Sequence, residues 1–170
     1  DNLLNYPDFR AYERAFQLLT QVSGRAGRRD TRGKVIIQTY DKENPIISFV
    51  KNDSYAGMYN SQIAEREQFK YPPFWNFIIL KLKHKDKNRL RRAANALADM
   101  LRNELQTRVK GPEEPLVSKI SNYYILNIHI RYEKKFSAAK VRNFVLAKIE
   151  NLKSEGDFSS VKIEVDVDPM

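Results

Sequence analysis

The chain has 170 residues, 42% of them hydrophobic, with a formal net charge of +9 and a pI near 9.7. That length supports one good core, or one full domain plus part of another, and the basic excess favours a polyanionic partner, nucleic acid foremost. The absence of cysteine excludes disulfides and thiolate zinc sites from this stretch, and the two distant histidines, His84 and His129, argue against a histidine metal site.

In chain order, the start Asp1-Asn2-Leu3-Leu4-Asn5-Tyr6-Pro7-Asp8 has neither a basic leader nor an apolar signal core, and reads as the exit from an upstream strand. No apolar run is long enough for a membrane helix, which points to a soluble, cytoplasmic protein. Tyr12, Ala15, Phe16, Leu19 and Val22 recur at helical spacing, predicting a helix over Phe9–Val22 with Asp8 as its cap. At its C-terminal end lies Gln21-Val22-Ser23-Gly24-Arg25-Ala26-Gly27-Arg28. Two arginines three positions apart, each beside a glycine, suit a phosphate-holding loop: guanidinium forks pair bidentately with phosphate oxygens, and Gly24 and Gly27 allow close approach. The alternative is a loop whose arginines pair with a carboxylate such as Asp30. Gly27–Lys34 is not a P-loop, because the spacing between its glycines is wrong and Val35 stands where a Ser or Thr should hold magnesium.

Val35–Thr39 is β-branched and bounded by turn residues, which predicts a buried strand; two helices follow over Pro45–Lys51 and Ser54–Phe69. Tyr55, Met58, Tyr59 and Ile63 mark the apolar side of the second. Lys70-Tyr71-Pro72-Pro73 ends it, since consecutive prolines cannot continue a helix, and a domain boundary is expected there. The implied division is 1–52 (an incomplete α/β lobe), 53–73 (a linker helix and the prolines) and 74–170 (a complete domain carrying most of the positive excess).

Within 74–170, the apolar run Phe74–Lys83 predicts a strand, and Leu90, Ala93, Ala94, Leu97, Leu101 and Leu105 an amphipathic helix from Asp86 to Thr107. Val109 begins a short strand broken by Gly111-Pro112. Tyr124, Leu126, Ile128 and Ile130 alternate on the next strand, Ser137 starts a helix carrying Val141, Phe144, Val145, Ile149 and Leu152, and Val161–Val167 alternates last. The order β-α-β-β-α-β predicts an α+β, ferredoxin-like domain with both helices on one face of an antiparallel sheet.

Two basic clusters stand out here. Lys81, Lys83, Lys85, Lys87, Arg89, Arg91 and Arg92 run from a strand end into a helix start, with Trp75 and Phe77 as neighbouring aromatic surface, and form either a phosphate-binding face or a solvated one. Arg131, Lys134, Lys135, Lys140 and Arg142 sit in a loop and helix start suited to an acidic peptide or DNA. Asp166 and Asp168 read as a turn or edge carboxylate pair rather than a metal site, and Tyr123, Tyr124 and Tyr132 as sheet packing rather than a platform for bases.

The motif Gln21–Arg28 resembles motif VI of superfamily 2 helicases. Taken with Asp8-Phe9-Arg10-Ala11-Tyr12-Glu13-Arg14, Glu65-Arg66-Glu67, Tyr71-Pro72-Pro73-Phe74, Lys110-Gly111-Pro112 and Asp166-Val167-Asp168-Pro169, the whole chain resembles the primosomal replication-restart helicases, the primosomal protein N′ family. The resemblance implies a bacterial, nucleoid-associated 3′ to 5′ DNA helicase that recognises stalled forks and reloads the replisome. ATP and Mg²⁺ would be held mainly by an upstream lobe, and zinc only by an upstream region. Residues 1–52 would close a RecA-like second lobe, with Gln21, Arg25 and Arg28 as catalytic residues and Gly24 and Gly27 beside the nucleotide; an arginine finger of this kind stabilises transition-state charge. This stretch alone would be inactive. The terminal domain would meet forked and single-stranded DNA, single-stranded DNA-binding protein, and primosome and replisome-loading proteins, with no membrane role. Lys81, Lys83, Lys85, Lys87, Arg89, Lys119 and Tyr123 are the candidate nucleic-acid contacts, and Lys140 and Arg142 the candidate protein contacts. Where the family carries a basic, glycine-containing segment leading into Tyr-Arg, this chain has Lys119-Ile120-Ser121-Asn122-Tyr123-Tyr124, leaving Lys119 and Tyr123 in that role. The alternative function is a stand-alone basic nucleic-acid-binding module without ATPase coupling.

Overall fold

The computed structural model describes Leu4 and residues 8–26 and 34–168, and it divides into two compact units, 1–69 and 70–170. In the first unit, helices α1 (Ala11–Arg25), α2 (Pro45–Lys51) and α3 (Tyr55–Gln68) pack on one another around Ala15, Phe16, Ile46 and Met58. Asp8 organises the start of α1 without capping it. Its carboxylate accepts from the Arg10 backbone N–H at 2.9 Å and pairs with Arg14 at 2.8 Å, while Arg10 holds the cap position. Asn44 and Pro45 start α2, and Ser54 caps α3 by accepting from the Gly57 N–H. Gly57 is needed for close approach: a Cβ there would lie 2.7 Å from Ser54 Oγ and 2.9 Å from the Phe49 ring. Arg66 reaches back to Glu13 at 2.6 Å and lies over the Phe9 ring, tying α3 to α1.

Three expectations for this unit change. α1 runs on through Arg25, so Gln21, Gly24 and Arg25 form its last turn rather than a loop. Residues 34–39 form no strand, since they pair with no strand of the described residues. The buried side of α3 is Met58 and Gln62, one turn apart, whereas Tyr55 and Tyr59 are exposed and stack on each other. Val22 likewise stands half exposed rather than in a core.

The second unit is a five-stranded antiparallel sheet: β1 (Trp75–His84), β2 (Val109–Glu113), β3 (Lys119–Ile120), β4 (Tyr123–Glu133) and β5 (Lys162–Val167), in the order β2-β4-β1-β5 with β3 paired to β4. Helices α4 (Lys87–Leu105) and α5 (Ala138–Ser154) cover one face, which is the split βαβ arrangement expected. Strand alternation sends Ile78, Leu80, Leu82, Leu126, Ile128, Ile130 and Tyr132 toward the helices, where Leu90, Ala94, Leu97, Leu101, Val145 and Leu152 meet them. The opposite residues of β1 and β4 form a second face free of these helices.

β2 is continuous through Gly111-Pro112 instead of breaking there. As an edge strand it tolerates a proline, and its register against β4 shifts between Lys110 and Glu113. Gly111 sits at φ +91°, where a Cβ would lie 2.6 Å from the Asn127 carbonyl, and its own carbonyl accepts from Arg102 Nη2. Asp86 caps α4 by accepting from the Asn88 and Arg89 N–H groups at 2.8 and 3.0 Å, which holds its carboxyl below the usual range.

Candidate nucleic-acid interface

The basic run on β1 is positioned by the strand's period of two. Lys81, Lys83 and Lys85 follow Phe77 and Ile79 onto the face away from the helices, and register then decides what each one meets. Lys81 lies opposite Glu164 in β5 and pairs diagonally with Asp166 at 3.4 Å. Lys83 reaches both oxygens of Glu164 at 2.7 Å. Their charge is compensated locally. Lys85, beyond the strand end, instead lies 5.7 Å from the Tyr123 ring centre, and Lys162 of β5 lies 4.7 Å from the same ring. On the helix side, Lys119 lies 4.9 Å and Lys87 5.8 Å from the Tyr124 ring, with Lys87 also bridging to Glu114 at 2.9 Å. Arg89 Nη1 is 3.5 Å from Ser160 Oγ, and Arg92 faces Asp157 at 3.6 Å.

Among the described residues, Lys85, Lys119 and Lys162 are exposed cations with no carboxylate partner, gathered around two tyrosines at one corner of the sheet. Exposed ammonium-ring contacts contribute about 0.5–1 kcal/mol and leave the charge available to phosphate. Lys162 escaped the sequence analysis. Its place between apolar Val161 and Ile163 signals the outer face, but only the pairing of β5 with β1 brings it to Tyr123. The chain segment Lys119–Tyr123 is a tight hairpin: Ser121 and Asn122 both have positive φ, as a two-residue turn between twisted strands requires.

The aromatic surface expected beside the lysines lies elsewhere. Phe77 is 5% exposed, in edge contact with His129 and Tyr71. Arg131 stacks 4.4 Å from the Tyr71 ring and donates to its hydroxyl at 3.1 Å, which separates it from the cluster assigned with Lys134, Lys135, Lys140 and Arg142. Those four remain exposed, Lys140 in the first turn of α5, whose Ser137 cap accepts from its backbone N–H. His129 is pushed below the ordinary imidazole range by burial, against the raising effect of Glu113 at 3.5 Å, with Arg131 lowering it further. His84 bridges the end of β1 to Asp86 and Ser160. Asp166 serves Lys81, and Asp168 closes the sheet edge by exchanging hydrogen bonds with the Phe77 backbone. Tyr132 is buried in the core and Tyr124 partly so. No group of three or more potential metal-ligating side chains occurs among the described residues, and no helix among them is long and apolar enough to cross a membrane.

In the arginine motif, Gln21 and Arg25 lie one turn apart on exposed positions of α1, and no described residue lies where a Cβ on Gly24 would stand. Ser23 Oγ donates to the Leu19 carbonyl at 2.8 Å. Arg25 makes no ion pair among the described residues, and Gly27 and Arg28 lie outside them.

Comparison with known proteins follows this division of the chain. Residues 67–170 match the family model described as Primosomal protein N C-terminal domain. The chain is 34% identical over 172 residues to the replication restart protein PriA of Synechocystis sp., covering 100% of this chain and 20% of that protein. It is 32% identical to the replication restart protein PriA of Bacillus subtilis, covering 99% and 21%, and 31% identical to that of Treponema pallidum, covering 100% and 25%. The chain thus spans about a fifth to a quarter of the length of these relatives. With that match over 67–170 and these identities along the whole chain, the chain belongs to the Primosomal protein N C-terminal domain family.

Proposed function

We propose that this chain is the C-terminal part of an ATP-dependent 3′ to 5′ DNA helicase that recognises stalled replication forks and restarts replication. The observation that carries the reading is similarity along the whole chain to proteins named for replication restart, coupled to a basic, tyrosine-bearing corner on the terminal domain. On this reading Arg25, in the last turn of α1, and Arg28 act on a nucleotide held with Mg²⁺ by the remainder of the enzyme, with Gln21 orienting the arginines or the attacking water. The sheet corner of Lys85, Lys87, Arg89, Lys119, Tyr123 and Lys162 holds DNA phosphates and bases. Lys81 and Lys83 extend the patch but give up carboxylate partners to bind. Lys140 and Arg142, on the outer side of α5, receive acidic protein partners, among them single-stranded DNA-binding protein and primosome components.

The test is Arg28→Ala in the full-length enzyme, measured as DNA-stimulated ATP turnover alongside DNA affinity. The expected result is loss of turnover on the order of 10³-fold with affinity retained. Unaltered turnover removes the motif from phosphoryl transfer and leaves the basic binding module as the surviving function.

A further inference from the structure

The two tyrosines at the start of β4 are consecutive, so their side chains leave the strand on opposite faces. Each carries its own lysines. On the face away from the helices, Tyr123 has Lys85 and Lys162, with Ile120, its cross-strand partner in the hairpin, 54% exposed beside it. On the helix side, Tyr124 has Lys119, its own cross-strand partner, and Lys87. The β3–β4 hairpin, with its two-residue turn, carries Lys119, Tyr123 and Tyr124 at this corner. Lys87 is the first residue of α4 and bridges to Glu114 at 2.9 Å, whereas Lys85, Lys119 and Lys162 have no carboxylate partner among the described residues.

A single nucleic-acid strand lying on one face cannot satisfy cations on both, since the sheet itself separates them. Two strands diverging from a duplex can, each following one face, with the hairpin tip between them. We propose that the β3–β4 hairpin is a strand-parting element: Lys85, Lys162 and Tyr123 hold one strand of a nucleic-acid junction, and Lys119 with the outer edge of Tyr124 holds the other. The inference rests on the nucleic-acid reading above and adds a division of labour that the reading does not require. A continuous basic patch binds phosphate regardless of face; two separated tracks prefer a branch point.

The experiment uses the 170-residue chain, an unstructured single-stranded oligonucleotide, and a forked duplex with two single-stranded arms. Affinity is measured by fluorescence anisotropy over a range of salt, and the arms of the fork carry a donor and an acceptor dye. Each phosphate contact contributes about 0.7 to the logarithmic salt slope on single strands. The double substitution Lys85→Gln with Lys162→Gln should lower the slope by about 1.4 on both ligands, whereas Lys119→Gln should lower it by about 0.7 on the fork alone. Energy transfer between the arms should fall when the unsubstituted chain binds and stay closer to the free value with Lys119→Gln. Equal effects of Lys119→Gln on both ligands, or arms that keep their free-state transfer in the bound fork, overturn the strand-parting assignment while leaving the interface intact. Absence of salt-dependent binding to either ligand overturns the interface as well.

Discussion

The two units bury apolar surface in different ways. Residues 70–168 enclose a sheet-and-helix core in which Ile78, Leu80, Leu82, Leu97, Leu101, Ile128 and Ile130 are wholly inaccessible. Residues up to 69 share a small cluster around Phe16 and Ile46 and leave Leu18, Val22, Ile36, Tyr40, Tyr55 and Tyr59 exposed. The lesson concerns closure: among the described residues the three helices of the first unit present more apolar surface than they cover mutually, while two helices laid on one face of a sheet cover both partners. The charge differs in the same sense. In the second unit lysines are sorted by register into compensated and uncompensated groups, whereas the described residues of the first unit hold no sheet to perform such a sorting.

Core truncation should separate the units most sharply. Ile128→Ala is expected to destabilise the second unit by about 2–5 kcal/mol, while Leu18→Ala in the first should cost about 0.5 kcal/mol or less. Urea unfolding followed by Trp75, the chain's single tryptophan, reads the former directly, and far-UV circular dichroism reads both. Comparable costs at the two positions would break the contrast. Next in size, charge reversal at Lys83, Lys85 and Arg89 should weaken fork binding and flatten its salt dependence, with Lys85→Glu alone carrying more of the effect than Lys83→Glu. That ranking follows from Glu164, which already neutralises Lys83; a dominant Lys83 would show that register does not sort the cations.

The smallest effect concerns acid. Arg108 donates two hydrogen bonds to Glu133, at 2.7 and 2.8 Å, and holds that carboxyl at about 2, against 4.5 ordinarily. A carboxyl depressed by folding adds stability that is fully present above the unfolded value near 4.5 and is lost as pH falls toward 2. The pair is partly exposed, so solvent screening keeps the contribution small. Urea midpoints measured across that window should fall for the native chain and fall less steeply for Glu133→Gln. An identical slope in both would remove Glu133 from the acid sensitivity of the second unit.

Much of the second unit was legible in sequence because its signals are local. Leu90 through Leu105 keep helical spacing, Asp86 and Ser137 sit where caps belong, and alternation on β4 assigns Ile128 and Ile130 to the core without any partner strand. The first unit was harder to read. Tyr55 and Tyr59 obey the helical period as well as Met58 does, yet only Met58 is covered, since period tells which residues share a side and not whether anything packs there. Residues 35–39 have strand composition and no strand to join among the described residues. In the candidate interface, Lys85, Lys119 and Tyr123 were visible as residue types beside a Gly-Pro edge, but Lys162, 39 positions after Tyr123, was not.

The amino-acid order by itself determined the helices, the alternating strands, the basic character and the family, all of which depend on neighbours within a few turns of chain or on the composition of the whole. The tertiary structure decided which cations are neutralised, which tyrosine faces which side of the sheet, and which apolar side chains are covered. Those depend on strand register and on partners far apart in the chain, where displacing a strand by one residue would exchange Tyr123 for Tyr124 at the face that meets Lys162.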